Sequence, residues 1–355
     1  MSRPVTYRVI QWGTGNVGRH AVRAILGRPN LELVGLRVYN PEKVGVDAGA
    51  IVGSPATGVV ATDDVDSILA LDADCVNYSA LGATEDARGG VIDDLERLLR
   101  AGFNVTSSAP ESLVYPKAAP REVVERLERA CADGQSSLFV SGVNPGFTMD
   151  VWPITMTRLS REIDSIRVTE VLDMVEYTSA SAMYFMGFGQ SPDAPAPLDT
   201  MHSTPETSPF YASLVMTADA IGFELEDYRY EREVGLAKEK FEVKAGTIER
   251  GTIAVVKMGV YGIARGRDVL INEWVWRISD DVRADWGIGE QWTMQIEGDP
   301  SMTLSMEPRT RLDSGRVVSL TVATAIVNAI PSVCDAAPGL RSPLDLPLWG
   351  GGYLS

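Results

Sequence analysis

Histidine is almost absent from this chain: His20 and His202 are the only two in 355 residues. That excludes a His-rich metal site, so catalysis must rest on carboxylates, lysine, tyrosine or a cofactor. Cysteine is nearly as scarce. Cys75, Cys131 and Cys334 lie far apart, which leaves neither a disulfide framework nor a metal-ligand spacing and predicts reduced, buried thiols. Positive charge is in deficit, with 32 Lys and Arg against 48 Asp and Glu, a formal charge of −16. Nucleic acids and anionic membrane surfaces are bound by clustered basic residues, so neither is an expected partner. The first residues, MSRPVTYRVIQWG, lack the apolar run of a signal peptide, and no stretch is expected to reach the roughly 18 apolar residues of a membrane span. The compartment expected on these grounds is the cytoplasm. Internal repeats and low-complexity tracts are missing too.

What the chain does contain is a rhythm. From residue 6 to about 141, short β-branched runs such as TYRVIQW, LELVGLRVY, DADCVNYSA, FNVTSS and SLFVSG alternate with helical patterns. Strands joined by crossover helices predict an α/β fold, a doubly wound Rossmann-type parallel sheet, with the loop after each strand on one edge. After NPGF (144–147) the pattern changes to long alternating segments such as IDSIRVTEVLDMVEY, GTIAVVKMGVYGIA and DVLINEWVWRI. These predict a second α+β domain on an open, mainly antiparallel sheet with one wet face. The expected division is a dinucleotide-binding domain over 1–148, completed by 316–355, and a substrate-binding and dimerisation domain over 149–315. The tail segment RVVSLTVATAIVNAIPSVCDAAPG reads as a helix ending near Pro331 that packs on the first domain. Unpaired sheet surface in the second domain suggests a homodimer.

The strongest motif follows the first strand directly and opens a helix: Gly13-Thr14-Gly15-Asn16-Val17-Gly18. In that context Gly13 permits the tight turn, Gly15 lets backbone approach a pyrophosphate, and Gly18 lets helix and sheet close together. A 2′-hydroxyl is usually held by a carboxylate about 20 residues on. Here the second strand runs out at Tyr39 and Asn40, with Lys43 beyond, and no carboxylate stands there. NADP is therefore the expected cofactor, with NAD possible; Asn40 and Lys43 are candidate ligands of a 2′-phosphate, although Lys43 reads equally as a solvated loop cation. Ser79, Ala80 and Leu81, after the fourth strand, should border the nicotinamide ribose. Asn144 is either a cofactor or substrate ligand or a turn residue before Pro145.

Glu111, in VTSSAPESLVYP (105–116), allows two readings. Ser108-Ala109-Pro110-Glu111 matches a capping box, in which the glutamate only secures a helical turn. The same residue also falls after the fifth strand on the loop edge, where a catalytic carboxylate would meet a cofactor. Tyr115 and Lys117 are possible proton donors, or simply a Tyr-Pro turn with an exposed lysine.

The GTGNVG turn, KVGVDAG (43–49), ESLVYP (111–116), GVNPGF (142–147), and VNAIPSVCDAAPG with the later DLP resemble the 2,4-diaminopentanoate dehydrogenases and native amine dehydrogenases. The resemblance implies a dihydrodipicolinate reductase-like first domain and NAD(P)-dependent chemistry at a carbon bearing an amine: oxidative deamination, or reductive amination of small ketones or aldehydes with ammonia. It also implies that Glu111 holds the reacting amine. Dihydrodipicolinate reductases themselves carry a paired His and a K-x-D-x-P-S-G-T segment. This chain has neither and reads EYTSASAMYFMGFG instead, which argues against that activity. Met183, Tyr184 and Phe188 from that run, with Phe147 and His202, are candidate pocket residues; a Met and aromatic run can equally be core, and a lone loop His is usually solvated. The competing functions are a carbonyl or imine reductase in which no ammonia takes part, and a nucleotide-binding sensor that has lost catalysis.

Overall fold

The computed structural model describes residues 6–80, 85–177, 180–202, 204–205, 208–311 and 317–352. Two compact units result, one formed by Met1–Phe147 with Arg316–Ser355, the other by Thr148–Gly315.

The first unit opens with β1 (Tyr7–Trp12), α1 (Asn16–Gly27), β2 (Leu31–Arg37), α2 (Ala48–Val52), β3 (Ala61–Thr62), α3 (Val65–Leu69), β4 (Cys75–Tyr78), α4 (Glu85–Arg100), β5 (Asn104–Ser107), α5 (Arg121–Gly134) and β6 (Ser137–Val140). The second unit contains α6 (Val151–Met156), β7 (Glu162–Asp173), α7 (Ala180–Met186), α8 (Pro197–His202), α9 (Tyr211–Ile221), β8 (Asp227–Leu236), β9 (Phe241–Val243), β10 (Gly246–Ile248), β11 (Ile253–Ala264), β12 (Arg267–Arg277), β13 (Gln291–Asp299) and β14 (Met302–Met306). α10 (Val317–Cys334) and β15 (Gly339–Arg341) then complete the first unit.

In the first unit seven strands lie in the order β15-β6-β5-β4-β1-β2-β3, all pairs parallel. Burial explains the near-continuous apolar strands: a parallel sheet is covered on both faces. Ile10, Val76 and Val105 face the helix residues Leu95, Leu98 and Leu127. Val9, Leu33 and Cys75 face the other side, against Ala21, Val22 and Ile25 of α1 and Ala323, Val327 and Ile330 of α10.

α10 corrects two expectations. It runs through Pro331 rather than ending there, and Asp335 N–H donates to the Pro331 carbonyl. Proline removes only its own bond to the preceding turn, and the buried Ala329, Ile330 and Val333 hold the helix in place around it. It is also, with a mean hydropathy of 1.9 over 18 residues, long and apolar enough to cross a membrane, contrary to the expectation from sequence. Its apolar residues are instead spent on the core shared with α1.

In the second unit six strands run β14-β13-β7-β12-β11-β8, antiparallel throughout except for the parallel β7/β12 pair. β7 and β13 alternate between buried and more exposed positions, and β8 between partly buried and exposed ones, as a wet face requires. β11 and β12 are buried along nearly their whole length, so the wet face is narrower than the sequence pattern suggests.

Candidate active site

Four strand ends of the first unit are level. Trp12 pairs with Tyr78, Tyr78 with Ser107, and Ser107 with Val140, and the ladder continues one residue further: Ser79 N–H donates to Trp12 O, Ser108 N–H to Tyr78 O, and Ser141 N–H to Ser107 O. The loops beginning at Gly13, Ser79, Ser108 and Ser141 therefore leave one carboxyl edge together. The strand order reverses between β1 and β4, the switch point at which open α/β sheets bind ligands.

The glycine turn is built for that role. Gly13 has a φ of 93°, and a Cβ there would lie 3.0 Å from the Ser79 carbonyl oxygen. A Cβ on Gly18 would stand 2.1 Å from the Gly13 carbonyl oxygen, so only glycine allows α1 to start this close to the turn. Gly15 differs, since a Cβ there meets nothing within 4 Å. That open space lies at the start of a helix with no side-chain cap and no acidic residue in its first turn. Uncapped N–H groups beside a backbone cradle suit a pyrophosphate. Thr14, Asn16 and Val17 belong to this cradle, and the Lys43 ammonium is docked on it, donating to Thr14 O at 3.0 Å and Thr14 Oγ1 at 3.1 Å. Buried Gln11 spans the switch point, its Nε2 donating to Gly13 O at 3.0 Å and Ser79 Oγ at 3.3 Å. Gln11 belongs to the motif's own stretch, yet its clamp is visible only once β1 and β4 are side by side.

Asn40 is engaged locally: its Oδ1 accepts from Glu42 N–H and caps a short 3-10 turn. β2 ends earlier than expected, at Arg37, and Gly13 N–H donates to Arg37 O at 2.9 Å. The Arg37 guanidinium lies 3.5 Å from the centroid of the Tyr39 ring and 5.3 Å from that of Trp12. A hydrogen-bond chain fixes these rings: Trp12 Nε1 donates to Tyr39 Oη at 2.9 Å, and the Asp94 carboxylate accepts from Tyr78 at 2.8 Å and Tyr39 at 3.4 Å. Burial, with the nearby Tyr39 and Asp94, pushes the Tyr78 phenol far up, so it stays protonated and donates to Asp94. Arg37 was not among the residues singled out from sequence; the signal was its place as the last residue of the second strand.

Glu111 opens a 3-10 turn, Glu111–Val114, whose N-cap is Pro110 and carries no side-chain cap. The capping box does not form. The turn begins at the glutamate itself, which puts Ser108 too far upstream to cap it, while Ser107 Oγ bonds the Ala109 backbone. Leu113 and Val114 are buried and anchor the turn, and Glu111 is exposed on the carboxyl edge. Asn144 lies half-buried in the loop after β6, on the same edge, and Ala80 follows Ser79 there. Leu81 lies outside the described residues.

The remaining candidates separate. Phe147 is exposed at 44%, as is Tyr184 at 60%. Met183 and Phe188 are buried in the second unit. His202 is neither in a loop nor solvated: it ends α8, 1% exposed, stacked on Phe210 at 4.7 Å and Tyr230 at 5.6 Å, with Nδ1 3.0 Å from Ser208 Oγ. Burial lowers its pKa to about 3. The proline at the start of α8 and the aromatic stack account for the difference, because they turn a polar loop into a packed helix end.

A parallel sheet with a glycine-rich turn at its switch point is the arrangement of Rossmann-type dinucleotide-binding enzymes. Residues 147–351 match the family model for the 2,4-diaminopentanoate dehydrogenase C-terminal domain. The chain is 34% identical to an amine dehydrogenase of Streptomyces virginiae, over 96% of each chain. It is 25% identical to the 2,4-diaminopentanoate dehydrogenase of Acetoanaerobium sticklandii, covering 96% of this chain and 93% of that one. In fold it resembles the amine dehydrogenase of Mycobacterium smegmatis, with a TM-score of 0.79 at 19% identity over 97% of both chains. The chain belongs to the family of 2,4-diaminopentanoate and amine dehydrogenases, and it is an NAD(P)-dependent amine dehydrogenase in that family's sense.

Proposed function

We propose that this enzyme interconverts small ketones or aldehydes, together with ammonia, and the corresponding primary amines, that it uses NADP in preference to NAD, and that Glu111 holds the reacting nitrogen. The position of Glu111 carries the reading. It is a carboxylate on the carboxyl edge after β5, two strands from the glycine turn after β1, on the order of 10 Å at ordinary strand spacing. With a dinucleotide's pyrophosphate held at that turn, its nicotinamide would supply or accept the hydride.

The protein's own tasks are orientation and charge. The backbone from Gly13 to Gly18 and the Lys43 ammonium hold the phosphates, with Ser79 and Asn144 on the same edge. The Glu111 carboxylate accepts hydrogen bonds from an ammonium or iminium nitrogen, which lowers the cost of positive charge there. It takes a proton as ammonia adds to the carbonyl and returns one as water leaves. A carboxylate suits this better than a histidine, because its partner is a cation through much of the reaction.

The absence of a carboxylate among Val38, Tyr39 and Asn40 supports NADP, since nothing there would repel a 2′-phosphate. The cation-free, carboxylate-poor stretch 177–189 supports a substrate with an uncharged far end, and cyclohexylamine is expected to be oxidised faster than 2,4-diaminopentanoate. The test is NADPH oxidation with a panel of ketones, with and without ammonium. Oxidation that needs ammonium is expected; equal rates without it would replace the reading by simple carbonyl reduction.

A further inference from the structure

We infer that Ser107 is the positioning residue for Glu111, clamping the short segment between the end of β5 and the glutamate; the inference rests on the role proposed above for Glu111. Glu111 is exposed, and the backbone from which it springs sets where its carboxylate can reach. That backbone leaves the sheet at Ser108, whose N–H makes the last ladder bond, to Tyr78 O. Beyond it Ala109 is buried and has no strand partner, and Pro110 has no N–H to give. Ser107 answers both Ala109 groups: its Oγ donates to Ala109 O at 2.5 Å and accepts from Ala109 N–H at 3.1 Å. From Pro110 onward the turn is held by other means, by the Leu113 N–H bond to Pro110 O and by the buried side chains of Leu113 and Val114. The serine clamp is therefore the tie between strand and turn.

Its surroundings make the clamp stiff. Ser107 is wholly buried, and Ala109 and Leu113 belong to the apolar cluster that Val105 of the same strand forms with Leu95 and Leu127 of the covering helices. A hydroxyl in that setting has no water to exchange with, and its loss would strand a buried N–H and a buried C=O. Either water would enter or the segment would shift to satisfy them, and both move the base of Glu111. A displacement of about 1 Å in a reacting group costs on the order of 100-fold in rate. The capping pattern in the sequence points to Ser108 as the serine that works with Glu111. The hydrogen bonds give that task to its neighbour, which acts on the backbone before the glutamate and not on the first turn after it.

The experiment measures kcat for ammonium-dependent turnover and, by titration, the dissociation constant of the reduced dinucleotide that wild type prefers, in the full-length protein. Ser107→Ala should lower kcat by roughly 10- to 100-fold while the dissociation constant stays within about twofold. Ser107→Cys nearly keeps the volume but offers only a weak donor, so it should lower kcat in the same direction, and it carries the test if the alanine variant does not fold. Added to Glu111→Gln, Ser107→Ala should change kcat by no more than about twofold, because no carboxylate is left to misplace. The inference is overturned, with the role of Glu111 left intact, by any of three results: a kcat within about twofold of wild type in the folded Ser107 variants, an equal loss of dinucleotide affinity, or an undiminished loss of kcat in the Glu111→Gln background. Near-normal turnover of Glu111→Gln alone would instead remove the role of Glu111, and this inference with it.

Discussion

The two units are organised by different means. At the carboxyl edge of the first, the work is done by backbone and by what is missing from it: glycines at 13, 15 and 18, and an uncapped helix start. In the second, side chains from distant strands converge. The buried Glu170 carboxylate on β7 accepts from Trp292 Nε1 at 2.7 Å and from Trp276 Nε1 at 3.3 Å, and Glu273 on β12 is ion-paired with Arg167 and Lys257. A short motif can write the first kind of site, because its parts are neighbours in the chain. The second kind exists only once β7, β12 and β13 are adjacent.

The comparison can be broken by substitution. Gly18→Ala should have the largest effect, because its Cβ would collide with the Gly13 carbonyl. We expect a loss of about 3 kcal/mol or more in unfolding free energy, together with loss of nucleotide binding, by urea denaturation and nucleotide titration. Glu170→Leu should cost about 2–3 kcal/mol in the second unit, because two indole N–H groups lose their acceptor, and it should leave nucleotide affinity unchanged. The next effect depends on pH. His202 has a folded pKa of about 3, below its unfolded value near 6.5, so the unfolded chain binds a proton first and stability declines as pH falls below about 6.5. Between pH 6.5 and 5 the decline should approach about 2 kcal/mol, and His202→Phe should flatten it. The smallest effect on folding belongs to Gly15→Ala. Nothing obstructs its methyl group, so the unfolding temperature should stay within about 2 °C while nucleotide affinity falls by roughly tenfold. Equal damage from Gly15→Ala and Gly18→Ala would erase the distinction between fold and cradle.

This division also explains what could be read from the residues alone. The parallel sheet, its glycine turn and the edge position of Glu111 follow from strand-helix alternation and one motif, both local features. Contacts made through the fold were out of reach. Arg37 looked like an ordinary strand residue until Tyr39 and Trp12 closed on it, and His202 looked solvated until Phe210, Tyr230 and Trp274 stacked around it. The capping box at Ser108 failed for the opposite reason: the local pattern was present, but the turn starts at Glu111 itself and places the serine outside it. Pro331 was likewise overruled by the packing of its neighbours. With the cap gone, Glu111 has no role as a partner of Ser108.

The most direct test is therefore Glu111→Gln, assayed for ammonium-dependent turnover beside its thermal unfolding. The account predicts a fall in kcat of roughly 10²- to 10⁴-fold with the unfolding temperature unchanged to within about 2 °C. Turnover within a few-fold of wild type in the folded variant would contradict it and remove Glu111 from the chemistry.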